Sequence, residues 1–446
     1  MLKAVVRAWY LPDLRNRILF TLGLLLLFRL IASIPVPNID PQALEQMQQA
    51  MQDNQLAQLL NIFSGGALQN FSVAALGVYP YITATIIMQL LQPLIPALED
   101  LAKEGERGRN KLNQYQAILT IPLAALQGYG QTLAMQVSMG ANASLFRTPF
   151  NIVENFFPTF TVIVSMTAGT MLLVWLGSLI TENGIGNGIS VIIFGGIVTS
   201  VPGLVYQGIQ IGQTGGFETF IGLTAFLVIG LFTIVGIVYI QEGQRRIPVQ
   251  YAKRVRGSKV YGGQSSHIPL KVNMAGMIPL IFAQSIIIFP GVVASWIYRP
   301  DEEGLLNSIA GFFYNTFNPT GGGGGIVYIV LLFLLVLGFT YFYTMVLFGQ
   351  QNIPENLQKN GGFIPGLRPG KKTTEYLNRV LNRITLAGAV FLGIVAILPF
   401  VTQSITNIQI GLGGAALLIV VGVAVDTMNQ LESRVSMHDY ESYMKR

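Results

Sequence analysis

Covalent chemistry has few residues to draw on in this sequence. His267 and His438 are the only histidines, cysteine is absent, and neither a Ser, Asp and His constellation nor paired carboxylates occur within an apolar run. That disfavours a histidine relay or metal centre and rules out thiol chemistry. The phosphate-cradling pattern GxxxxGK[ST] is missing too; GIGNG at Gly184 to Gly188 lacks its lysine and its preceding strand and reads as a tight turn. The residues that could do work are of another kind. Between Asn61 and Pro93 the chain reads NIFSGGALQNFSVAALGVYPYITATIIMQLLQP. Ser64, Gln69, Asn70 and Ser72 make Asn61 to Ser72 too polar and too short to face lipid, yet it leads into an uncharged run long enough to cross a bilayer. Gly65 and Gly66 break its start, and Gly77 and Pro80 its middle. Broken backbone at membrane depth is tolerated where protein or a water-filled cavity surrounds it. Beyond the break, Ile82 and Ile86 lie four residues apart on one helical face. A short re-entrant helix followed by a span that presents isoleucines to a cavity describes a plugged pore. The same residues also describe a Gly-rich bend between ordinary spans.

The elements that must position this stretch follow from composition. Of 446 residues 51% are hydrophobic and only 11% charged, far below the charge of soluble domains. Recurrent apolar runs of about twenty residues identify an all-α polytopic membrane protein and exclude a barrel of short alternating strands. Ten transmembrane spans are expected, near 18–34, 73–95, 115–137, 153–180, 189–206, 217–240, 272–296, 326–348, 384–400 and 408–425. With a cytoplasmic N-terminus, all 27 Lys and Arg except Arg29, Arg147 and Arg299 fall on the cytoplasmic side, which sets both termini inside. Arg29 lies within the first span near its outer end and reads as a snorkelling or backbone-paired residue. That span has basic residues before it but no small-x-small cleavage site after it, so it reads as an uncleaved span.

Outside the spans, Pro41 to Leu60 reads as an external surface helix leading to the broken segment, and Arg299 to Gly325 ends in five glycines of flexible composition. The cytoplasmic loop Glu99 to Lys111 is close to neutral. Two others, 241–271 and 349–383, are long and basic. The first holds Arg245, Arg246, Lys253, Arg254, Arg256, Lys259 and Lys271 against one acid, Glu242; in the second, Phe363 to Gly370 forms a stiff turn that presents Arg368. Basic loops commonly serve only as topology determinants or lipid-headgroup contacts. Loops this long, alternating bases with Tyr, Gly and Pro, also suit docking to a large polyanionic or acidic partner.

Two function classes remain. A secondary transporter with inverted repeats and a midplane small-molecule site commonly carries ionisable groups or broken-helix ion sites at that depth. A passive conduit closed by apolar side chains needs none, because a narrow hydrophobic ring gates by dewetting. No span here has an acid near its centre; Glu154, Glu218 and Asp426 lie at span ends. The conduit is favoured, and an intramembrane enzyme has still less support.

The chain resembles the SecY family, the central subunits of the bacterial protein-translocation channel, over nearly its whole length. The resemblance rests on the Asn61 stretch and on KEGERGRNKLNQY, WLGSLITENGIGNGISVIIFGGIV, GQRRIPVQYAKR, QSSHIPLKVNMAGMIP and GGFIPGLRPG. It implies a ten-helix hourglass in two pseudo-symmetric halves, 1–206 (spans 1 to 5) and 207–446 (spans 6 to 10). It makes the segment Asn61, Ile62, Phe63, Ser64, Gly65, Gly66, Ala67, Leu68, Gln69, Asn70, Phe71 and Ser72 a re-entrant plug helix. A hydrophobic pore ring falls on Ile82, Ile86, Ile197, Ile281 and Ile419, and a lateral gate between spans 2 and 7. Arg254, Arg256 and Arg368 match the region that docks the ribosome, through its RNA, or the SecA motor ATPase. The family also implies the small membrane subunits SecE and SecG, signal sequences and nascent polypeptides as cargo, and membrane lipid as the receiver of apolar segments. No cofactor is implied, and the energy source is external. The expected location is a bacterial plasma (inner) membrane, with a thylakoid as the other possibility.

Overall fold

The computed structural model describes residues 2–53, 61, 64–138, 145–148, 150, 154–214, 217–251, 254–256, 259–261, 265–297, 304–317, 324–359, 361–368, 370–406 and 414–444. Apolar sequence and proline placement account for most of the helices. In chain order they are α1 (Leu2–Tyr10), α2 (Pro12–Ala32), α3 (Pro41–Asp53), α4 (Tyr79–Leu91), α5 (Pro96–Lys103), α6 (Glu106–Ser138), α7 (Phe156–Asn183), α8 (Gly188–Thr214) and α9 (Phe217–Glu242). After a group of strands come α10 (Ile278–Ile297), α11 (Leu305–Phe317), α12 (Gly324–Gln351), α13 (Ile353–Lys359), α14 (Lys371–Thr406) and α15 (Gly414–Met444). Pro12, Pro80 and Pro96 stand in the first turn of α2, α4 and α5, where a missing N–H has no intrahelical partner to lose.

Among the described residues six helices, α7, α8, α9, α12, α14 and α15, are each long and apolar enough to cross a membrane, and α4 with α5, bent by 105°, pass the same test together as a broken span or a re-entrant loop. The other expected spans coincide with α2, which carries Arg15, Arg17 and Arg29, with the glutamine-rich α6, and with α10, which contains Pro290. The second span starts later than its uncharged run suggests. Residues 73–78 are turns, with Gly77 at φ 58°, and helix begins only at Tyr79. The expected surface helix is present as α3, and its residues 54–60 lie outside the described ones.

Two connections differ from expectation. The segment from Arg299 to Gly325 holds α11, an apolar helix too short to span, and Gly324 and Gly325 already belong to α12. The two basic loops fold together. Strands β1 (Gln244–Tyr251) and β4 (Ser265–Lys271) form an antiparallel hairpin, and β5 (Gly362–Phe363), from the other loop, pairs with the free edge of β1 in the order β4-β1-β5. A second hairpin, β2 (Arg254–Arg256) with β3 (Lys259–Tyr261), continues from its end. Ile247 and Val249 alternate with exposed neighbours on β1 and bury against Leu270, Phe348, Leu357, Ile364, Leu377 and Leu381, so one small core unites both loops with α12, α13 and α14. The bundle is therefore all-α, with a sheet at one end.

Candidate functional site

The broken stretch after α3 is built from turns. Within the described residues of the expected plug, only Asn61 is helical and 64–71 are turns; Ile62 and Phe63 lie outside the described residues. Gly65, Gly66 and Phe71 have φ of 69°, 79° and 41°, a region that ends helices. Side chains complete the backbone bonding that the helix would have supplied. The Asn61 carbonyl accepts from the Gly66 N–H at 2.8 Å and the Ser64 hydroxyl at 3.0 Å, while its side-chain oxygen accepts from the Gln69 N–H at 2.9 Å. Ser64 Oγ accepts from the Leu68 N–H, and Ser72 Oγ from the Ala74 N–H. Asn61, Ser64 and Ser72, among the polar residues that made this segment unlike a span, are thus its internal scaffold.

Its described apolar residues face inward. Ala67, Leu68 and Phe71 are fully buried, Phe71 meeting the Phe146 ring edge-on at 5.8 Å. The segment is tied to the chain after α2 by the Val36 N–H to the Phe71 carbonyl and the Val73 N–H to the Ile34 carbonyl. On the other side Gly65 lies against Gly196 of α8 so closely that a Cβ on Gly65 would stand 2.7 Å from the Gly196 Cα. Two glycines make that approach possible. Arg29 Nη1 donates to the Gly65 carbonyl at 3.3 Å, so this residue is backbone-paired.

Four of the five isoleucines gather at this seat. Ile197 and Ile419 are buried in one cluster with Ala67 of the broken segment, and Ile82 packs against it. Ile82 also packs against a second cluster that holds Ile86 of α4, Ala275, Phe282 of α10 and Tyr343 of α12. Ile281, next to Phe282 on α10, is 6% exposed and belongs to neither cluster. Ile82 is the residue that joins the two groups. The second cluster is the seam between α4 and α10, with the Phe282 ring set edge-on to Phe339 and Tyr343 at about 6 Å. Beyond the first cluster a polar cavity of about 480 Å³ opens, lined by Asn187, Ser190, Lys271, Asp426 and Arg434 and floored by Val423, a member of that cluster. Among the described residues no group of His, Asp and Glu could hold a metal ion.

The docking candidates lie at the sheet. The backbone of Arg254 and Arg256 belongs to β2, paired with Tyr261 and Lys259, and Arg368 is exposed in the turn after β5, its carbonyl accepting from Thr373 Oγ1 at 3.0 Å. Sequence reasoning missed the pairing of the two loops and the contact between Gly65 and Gly196. The alternation Ile247, Pro248, Val249, Gln250 was the available signal for β1.

A buried apolar cluster between a polar cavity and a seated chain of turns, inside a polytopic helical bundle, is an arrangement suited to a membrane channel. The SecY family model matches residues 72–428. Protein translocase subunit SecY of Thermus thermophilus is 44% identical over 451 residues, covering 100% of this chain and 98% of its own, and that of Streptomyces scabiei is 40% identical with both chains fully covered. The chain belongs to the SecY family. It is a protein-conducting channel subunit and not an enzyme, and the transporter alternative is not favoured. The fold is shared with a structure described as showing that the plug domain of SecY stabilises the closed state (TM-score 0.61, 19% identity, 94% of this chain and 91% of that one). It is shared also with Sec61 in a canine ribosome–channel complex (TM-score 0.54, 18% identity, 94% and 91%).

Proposed function

We propose that residues 61–72 are the plug of this channel and that Ile82, Ile86, Ile197, Ile281 and Ile419 form the ring it closes upon. The observation that carries the reading is the shared burial of Ala67 with Ile197 and Ile419 in the cluster whose Val423 lines the polar cavity. Branched apolar side chains round a narrow waist fit about an extended polypeptide yet offer ions little solvation, so the ring acts as a gasket. The seam between α4 and α10 is the lateral gate. It releases segments by partition, since a central Leu or Ile gains several tenths of a kcal/mol in lipid and a central Lys costs about 3 kcal/mol.

In this reading the chain divides into halves 1–206 and 207–446 that move about the waist. The sheet end is cytoplasmic, as are both termini, in a bacterial plasma membrane; the excess of Lys and Arg at that end supports it, and a thylakoid would have the same sidedness. Arg254, Arg256 and Arg368 receive the ribosome or the SecA motor, and SecE and SecG complete the complex. The ribosome-bound Sec61 relative supports the first of these partners.

The test is ion conductance across a planar bilayer holding the purified complex, with the intact chain and with residues 61–72 deleted. Large fluctuating conductance on deletion is expected. Silence of both forms, with uptake of a small solute against a gradient, refutes the channel.

A further inference from the structure

Arg29 is a charge in an otherwise apolar stretch of α2, Thr21 to Ala32, and such residues usually escape to the nearest interface. This one turns to the protein instead and donates to the carbonyl of Gly65, thirty-six residues further on. A second observation converges on the same spot. Phe28, its neighbour in α2, is 3% exposed, and its ring packs so tightly on Gly65 that an added Cβ would come within 2.8 Å of Cζ. A Cβ on Gly66 would meet Arg29 Nη1 itself at 3.5 Å. The left-handed Gly65–Gly66 turn is therefore wedged against Phe28 of α2 and Gly196 of α8, with Arg29 bonded to its carbonyl.

We propose that Arg29 is the latch of the plug: its guanidinium, donating to the Gly65 carbonyl, holds residues 61–72 in the waist and biases the channel shut. This rests on the plug reading above. The chemistry suits a contact that must be made and broken. A guanidinium has five N–H donors in a rigid fork; one serves Gly65 while the side chain as a whole remains exposed. Withdrawal of the plug then leaves no charge enclosed in the protein core. A carbonyl acceptor, unlike a carboxylate, makes the latch strong enough to bias the seat and weak enough to yield to an entering chain. Arg29 is a positioning residue and touches no cargo in this role.

The experiment compares the purified complex bearing the parent chain, Arg29→Met, Arg29→Gln, Arg29→Lys or a deletion of 61–72. One readout is open-channel dwell fraction in planar bilayers. The other is labelling of Ala67→Cys, buried in the parent and alone in a chain without cysteine, by a membrane-impermeant maleimide. Arg29→Met and Arg29→Gln are expected to raise dwell fraction and labelling rate together, roughly three- to tenfold for one charge-assisted bond in a partly solvated place. Arg29→Lys, which keeps a charged donor, should recover at least half of the difference. If Met and Gln match the parent in both readouts while the deletion conducts, the latch is refuted and the plug stands. If the deletion is also silent, plug and latch fall together.

Discussion

Gly196→Ala tests the seat of the plug by adding a single carbon. Built on the backbone, that carbon lies 2.5 Å from the Gly65 Cα, whereas ordinary contact begins at 3.4 Å. One backbone or the other must retreat by about 1 Å, and overpacking of this kind costs about 1–3 kcal/mol. Gly196 sits inside α8, where Ala is favoured over Gly by about 0.5–1 kcal/mol, so the helix itself loses nothing. The segment that yields is the one held by turns and few bonds. A cost of that size, charged to the closed state alone, raises the open fraction roughly five- to 150-fold, at tenfold per 1.4 kcal/mol. Two neighbours supply the controls. An added carbon at Gly195 meets only the flexible tip of Leu25, and one at Gly203 meets nothing within 4 Å. Single-channel recording of the three variants should show Gly196→Ala opening far more often than Gly195→Ala or Gly203→Ala. Equal silence in all three would mean that the glycine contact is not what keeps the channel closed.

The ring and the docking surface give further predictions. Ile419, with 0% exposure, should cost about 2–5 kcal/mol of stability as Ile419→Ala, read from thermal unfolding. In a plug-deleted channel the same change should widen the waist and raise unitary ion conductance; an unchanged conductance would reduce Ile419 to ordinary packing. Arg368→Glu reverses an exposed charge and should impair motor-driven translocation while leaving insertion and folding intact. Undiminished transport with the motor would remove Arg368 from the docking surface.

Much of this architecture is written in the sequence, because hydrophobic runs of membrane length have few other fates. The break at Gly65, Gly66 and Gly77 was equally legible, since these residues interrupt an otherwise uncharged run. Its conformation was not. Ser64, Asn61 and Ser72 serve a helix terminus as readily as a chain of turns, and only the positive φ at Gly65, Gly66 and Phe71 decides between them. The sheet escaped for a different reason. β1 carries just two inward residues, Ile247 and Val249, among arginines, and β5 joins it from a loop more than a hundred residues away. Composition cannot register a pairing over that distance. α11 escaped because a largely apolar stretch of thirteen residues is too short for a span and stands close to a glycine run. The isoleucines are a middle case. Their types follow from any apolar helix, while the meeting of Ile86, Ile197 and Ile419 through Ile82 depends on how α4, α8 and α15 cross.

The pairing of β5 with β1 changes what a push on this protein means. The two basic loops share one sheet and one small core. Just after β4 the Val272 carbonyl rests on α14 at Gly388, where an added Cβ would stand 2.6 Å from the oxygen, and the Val272 N–H closes the hairpin onto Gly243 at 2.8 Å. Only the short link after Lys271 separates this bearing from the start of α10 at Ile278. Load applied to either loop therefore has a path of six residues, 272–277, to the helix that carries Ile281 and Phe282.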